Sequence, residues 1–229
     1  MSRLAEIRRD EQGTTLVELM VGLAAGLTVL AGLVILIMAT LNTTTRVSAR
    51  IHATQEGRIA LTRVIDQLHS ACIAPKVPPI RSGSSGSELR FVHATGSAVV
   101  PVPVLTTITY ASGSLTQRDY QWKEGSAPFW VFNTTPSRTA LISDRIAPIG
   151  SKPVFSYYGY ASGAVSTTPL STPLSELNAS NTIQVTVSFM SEPRSGKPEQ
   201  GAAARMQGSA SLRLTASSYN PAAPSRPCE

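Results

Sequence analysis

The sequence predicts an α+β protein: a long N-terminal α-helical spine, transmembrane in its first half, packed on an antiparallel β-sheet head. Three observations lead there. No charged residue lies between Glu18 and Arg46; helical spacing runs on past that stretch with no proline before Pro75; and the remainder is rich in Ser, Thr, Gly and Pro, with segments that alternate at period two. The chain has 229 residues, 42% of them hydrophobic and 15% charged. That length suits one domain with an appendage, and that composition excludes a chain kept disordered by its charge. Much of the apolar excess sits between Leu16 and Leu41, which excludes a simple soluble globule.

The run LMVGLAAGLTVLAGLVILIMATLNTTT exceeds the roughly 20 apolar residues that cross a hydrocarbon core as a helix. It is too long for the apolar region of a cleaved secretory signal, which spans about 7–15 residues. Glu18 stands at its start. A carboxylate there is costly in lipid and calls for a partner or an interfacial position, and the helix N-terminus suits its charge. Gly22 and Gly26 form a G-x-x-x-G, which lets two membrane helices approach closely. Arg3, Arg8 and Arg9 before the span are matched by Arg46, Arg50 and Arg58 after it, so charge alone leaves the orientation open.

Beyond the span, Val47, Ile51, Thr54, Arg58, Leu61, Ile65, Leu68 and Cys72 recur at four- and three-residue spacing and describe one helical stripe. Leu61, Val64, Ile65 and Leu68 are the residues expected to receive a sheet. Ala74-Pro75 and Pro78-Pro79 end the helix. The domain plan is therefore 1–13, a leader; 14–45, the transmembrane helix; 46–74, an extramembrane amphipathic helix; and 75–229, a β-rich head with an irregular tail from Ser217.

Within the head, Ser87–His93 follows the Gly/Ser loop Ser82–Gly86 as a strand. Leu105–Tyr110 and Ser114–Tyr120 flank Ala111-Ser112-Gly113 as a hairpin. Pro153–Tyr160 is extended and aromatic. The clearest strand is Thr182–Phe189, whose Ile183, Val185, Val187 and Phe189 face a core while the other face is wet. Ser209–Thr215 is its expected antiparallel partner across the loop Ser191–Gly201.

The net charge is +6, but residues 76–229 carry thirteen Lys and Arg against eight Asp and Glu with no basic run. Nucleic acid is therefore an unlikely partner, since phosphate contacts need clustered cations. The three histidines, His52, His69 and His93, are scattered, and no Ser-His-Asp spacing, carboxylate dyad or metal-ligand spacing appears; the reading is a non-enzyme with no metal and no cofactor. Tyr157, Tyr158, Tyr160, Trp122 and Trp130 are either core or a partner surface. Cys72 and Cys228 are the two cysteines. They form a candidate disulfide tying the tail to the helix end if the head lies in an oxidising compartment, or else are two unpaired thiols.

The segment Gly13-Thr14-Thr15-Leu16-Val17-Glu18, behind a short charged leader and ahead of the apolar run, resembles the prepilin processing motif of type IV minor pilins and type II secretion minor pseudopilins, J-type or W-type. The resemblance implies cleavage by a prepilin peptidase between Gly13 and Thr14, with N-methylation of the new terminus. It also implies that Glu18, as fifth mature residue, pairs with the terminal amine of a neighbouring subunit. The implied partners are that peptidase, other pilin or pseudopilin subunits, an inner-membrane assembly platform and membrane lipid. The implied place is the inner membrane, leader cytoplasmic and head periplasmic or extracellular, from which the subunit enters a pilus or pseudopilus that it helps initiate or cap. The first mature residue is Thr where the family usually has Phe, and the apolar half lacks the family's common proline. Other readings are a DNA-uptake pilin, or an uncleaved single-pass anchor carrying an adhesin or binding domain.

Overall fold

The computed structural model describes residues 15–73, 77–95, 102–125, 130–161, 163–193 and 203–212. The chain is α+β. It divides into two units at Ser48 and Ala49. The helix α1, Leu16–His69, extends through 54 residues and belongs to both.

In the first unit α1 opens at Thr15, whose carbonyl accepts the first helical bond from Leu19 N at 3.1 Å. Its apolar side chains, from Leu16 to Leu41, are exposed. Length and composition make this helix able to cross a membrane. The hydroxyls within and just after the apolar run are bonded inside the helix: Thr28 donates to Ala25 O, and Thr40, Thr43 and Thr44 each donate to the carbonyl four residues back. Polar groups satisfied locally in this way carry little cost in lipid.

In the second unit two antiparallel sheets share a core with α1. The first is a meander of β1 (Glu88–Thr95), β2 (Val102–Ala111), β3 (Ser114–Gln121) and β4 (Arg138–Ser143), in that spatial order. The β2–β3 turn is the expected one at Ser112-Gly113, where φ is 46° and 81°. Both central residues of a tight two-residue turn need this left-handed conformation to match the strand twist, and Gly113 adopts it without steric cost. The outer edge of β1 is covered by bridges from Ala71 to His93 and from Ile80 to Phe91, so it presents no open ladder there.

The second sheet is centred on β9 (Gln184–Ser191). One edge pairs with β10 (Ala204–Ser211), and the other pairs with β5 (Ile146–Ala147) and β6 (Phe155–Tyr158). A short hairpin, β7 (Tyr160–Ala161) and β8 (Ala164–Val165), and a one-turn helix α2 (Glu176–Ser180) complete the head. Ser175 caps α2 by accepting from Asn178 N.

Two expectations about this unit change. Ile183, Val185, Val187 and Phe189 are buried as anticipated, but Thr186 and Ser188 on the opposite face are buried too. The hydroxyls are satisfied where they stand: Thr186 Oγ1 lies 2.9 Å from Ser209 Oγ, and Ser188 Oγ donates to Pro153 O. The partner strand also begins earlier than its alternation suggested, at Ala204, with Ala210 opposite Val185; residues 213–215 lie outside the described set.

The larger correction concerns α1. The residues it buries are Ala53, Gly57, Ala60, Val64 and Leu68, while Val47, Ile51 and Ile59 remain 53%, 51% and 68% exposed. Leu61 and Ile65 pack at the core's margin and Val64 and Leu68 inside it, as expected. The contact stripe is therefore rotated away from the bulkier aliphatics in its first half. Small residues win there because they let the helix backbone come close to the second sheet. A Cβ at Gly57 would lie 2.7 Å from Ser191 Cβ and 2.8 Å from Met206 Cγ, and one at Gly208 would lie 3.3 Å from Leu61 Cδ1.

Candidate functional site: the start of the helix and its anchorage in the head

The candidate site begins where α1 begins. Thr15 Oγ1 accepts from Glu18 N at 3.4 Å. With the bond from Leu19 N to Thr15 O, this makes Thr15 the N-cap and Glu18 the third helical residue. Thr15-Leu16-Val17-Glu18 thus has the T-x-x-E spacing of a capping box, a signal legible in the sequence. Glu18 is the only charged residue of α1 before Arg46. Its carboxylate sits in the helix's first turn, where unpaired N–H groups carry partial positive charge.

Gly13 and Thr14, the expected cleavage point, lie outside the described residues. Gly22 and Gly26 fall on α1, and a Cβ added at either would meet nothing within 4 Å. Both glycines therefore leave the helix surface open to close approach.

At the other end, Cys72 is buried in a small cluster with Val77 and Val92, against which Ala94, Leu105, Trp130 and Phe132 pack. Its backbone N–H donates to Val92 O at 3.1 Å. Cys72 is disulfide-bonded. Cys228, the chain's other cysteine, lies outside the described residues.

The aromatic residues separate. Tyr157 is fully buried, and its hydroxyl donates to Ser85 O and Glu88 O, closing the Gly/Ser loop onto the core. Burial pushes its ionisation far above the ordinary range. Trp122 and Trp130 meet edge to face with centroids 5.1 Å apart, and Tyr160 remains exposed.

Sequence spacing gave no hint of one further constellation. Ser70, His93, Thr106, Asp119 and Gln117 are joined by hydrogen bonds beneath the last turns of α1. These residues come from α1's end and three strands, so only the β1–β2–β3 register brings them together. Among the described residues no group of three or more His, Cys, Asp or Glu side chains is arranged to hold a metal. Compared with known families and with curated proteins, the chain matches no family model and no curated sequence.

Proposed function

We propose that the chain is a pilin-like structural subunit, a minor pilin or minor pseudopilin, whose work is assembly. A prepilin peptidase cuts after Gly13, leaving Thr14 as the amino terminus. The apolar half of α1 then holds the subunit in the membrane with its head outside the cytoplasm. Glu18 pairs with a neighbour's terminal amine as the subunit passes into a filament, and the large head suits a low-copy subunit that starts or caps it.

One observation carries this reading: Gly13 to Glu18 abuts an exposed apolar helix that starts at Leu16, and Glu18 is that helix's only charge before Arg46. A carboxylate in that position needs a cationic partner once lipid surrounds it. The open faces at Gly22 and Gly26 support close packing between such helices. The bridge Cys72–Cys228 belongs to the same proposal, since it requires the head to fold in an oxidising compartment.

The test is the intact mass and N-terminal sequence of the protein from a native membrane fraction. The expected chain begins at Thr14, with or without a methyl group. A chain still carrying Met1–Gly13 refutes the proposal in favour of a signal-anchored surface protein, and cleavage beyond Leu41 means a secreted soluble domain.

A further inference from the structure

The outer face of the first sheet carries an aromatic patch that the main core does not use. Side chains alternate along β1, so Val92 points away from the face on which Phe91 enters that core. Register continues the outer row from Val92 through Leu105 to Tyr120. Just beyond β3, Trp122 bridges to Phe132, and the Trp130 ring meets that of Trp122 edge to face. Trp130 and Phe132 pack against the small cluster of Cys72 and Val92, yet Tyr120, Trp122, Trp130 and Phe132 are each only half-buried. The Trp130 Nε1 atom is itself buried and has no hydrogen-bond partner. An indole N–H can only donate, so this one lacks an acceptor.

The chain's own tail has the complementary chemistry. Pro221, Pro224 and Pro227 recur at every third residue, and the last of them directly precedes Cys228. A polyproline II helix has three residues per turn, so these prolines would line a single face of one, over about 19 Å at 3.1 Å per residue. Its carbonyls have no partner within the helix, and proline fixes φ at the required value before any contact is made. Proline-rich segments of this kind dock on aromatic-lined surfaces, and a free carbonyl between the prolines suits an indole N–H. Residues 213–229 lie outside the described set, but the place to which the tail returns is marked: Cys72 is disulfide-bonded, and Cys228 is the only other cysteine of the chain.

We propose that residues 221–227 dock as a polyproline II segment on the patch of Tyr120, Trp122, Trp130 and Phe132, with one of their carbonyls accepting from Trp130 Nε1. The inference rests on the proposed Cys72–Cys228 bridge and not on filament assembly. Two features select the chain's own tail over a separate proline-rich peptide. The bridge delivers Pro227 beside Cys72, which shares its cluster with Trp130 and Phe132. Tethering also makes the contact intramolecular, so that a weak intrinsic affinity is enough to fill the site. Docking then ties the end of α1, the first sheet and the tail together at one point.

Trp122 and Trp130 are the chain's only tryptophans, so intrinsic fluorescence reads this patch alone. The experiment measures acrylamide quenching and the emission maximum of the full oxidised chain in detergent micelles, with non-reducing peptide mapping and gel mobility to follow the bridge in every variant. The triple change Pro221→Ser, Pro224→Ser and Pro227→Ser should keep the bridge, raise the quenching constant and shift the emission to the red. The double change Ala223→Pro and Pro224→Ala preserves composition but turns the central proline a third of the way round the helix, and should move both readings the same way. Pro169→Ser, at an exposed site between β8 and α2, should move neither. Unchanged readings in the triple variant with its bridge intact would overturn the docking and leave the bridge standing. A double variant that behaves as the parent would overturn the polyproline II contact. A bridge formed between two chains, seen as a covalent dimer, would overturn the proposal in favour of an exchanged tail, and two free thiols would overturn bridge and docking together. A chain still carrying Met1–Gly13 would refute the pilin reading and leave the docking intact.

Discussion

Replacing Gly57 by Ala should destabilise the head, although the same exchange in a helix ordinarily stabilises. Ala gains about 1 kcal/mol over Gly at an interior helical position. Against this, the new methyl would sit 2.7 Å from Ser191 Cβ and 2.8 Å from Met206 Cγ. Carbon atoms prefer about 3.5–4.0 Å, so the shortfall is about 1 Å. Met206 can swing its chain aside. Ser191 Cβ is fixed to the β9 backbone and cannot, so the helix and strand must part. Overpacking of this kind costs about 1–3 kcal/mol, leaving a net loss of about 1 kcal/mol and a fall in Tm of about 2–4 °C for a head of this size. Thermal unfolding in micelles, followed by near-ultraviolet circular dichroism, reads it. Ser191→Gly is the diagnostic second change, because Ser191 Oγ is buried without a hydrogen-bond partner and its removal orphans nothing. In the Gly57→Ala background it should restore at least 0.5 kcal/mol, roughly the floor for coupled neighbours. Gly26→Ala, where the methyl meets nothing within 4 Å, should leave the head's Tm unchanged. A Gly57→Ala protein as stable as the parent, or one indifferent to Ser191→Gly, would refute the close-approach account.

Two further outcomes are expected. Cys72→Ser should lower stability by about 2–5 kcal/mol, as loss of a native bridge usually does, and non-reducing peptide mapping of the parent should recover a Cys72–Cys228 peptide; separate thiols would refute the bridge. Glu18→Gln should stop filament assembly while leaving helix content intact, because Gln serves a capping box as well as Glu does but carries no charge. If Glu18→Gln assembles normally and Thr15→Ala is the defective variant, Glu18 acts through the cap.

What the sequence made legible was whatever rests on local periodicity. The apolar run, the unbroken helix beyond it, the Ser112-Gly113 turn and the alternation of β9 each depend on near neighbours, and each appears within a few residues of where the pattern put it. The failures share a cause. The periodicity of large aliphatics marks one stripe on α1, whereas the helix buries the small residues Ala53, Gly57 and Ala60, which hydropathy scores as weak. β4 and β5 escaped because a strand with no buried residue and a strand of two residues have little pattern to show. The His93 circuit escaped because it is assembled by cross-strand register, which places Thr106 opposite Asp119 and joins residues far apart in the chain.

Glu18 shows the remaining difficulty most directly, since one short segment supports two physical roles. Thr15 and Glu18 stand at cap and third position, so the first turn of α1 would be stabilised by this pair in any protein, assembled or alone. The partly positive N-terminus favours Glu over Gln by about 0.3–1 kcal/mol, which is less than the few kcal/mol that an ionised carboxylate costs within lipid. Under the proposed assembly role, that cost is offset by a cationic partner arriving from outside the chain. The cap and the pairing are then compatible: the cap holds the first turn rigid, and a rigid first turn keeps the carboxylate at a fixed depth for an incoming amine to meet.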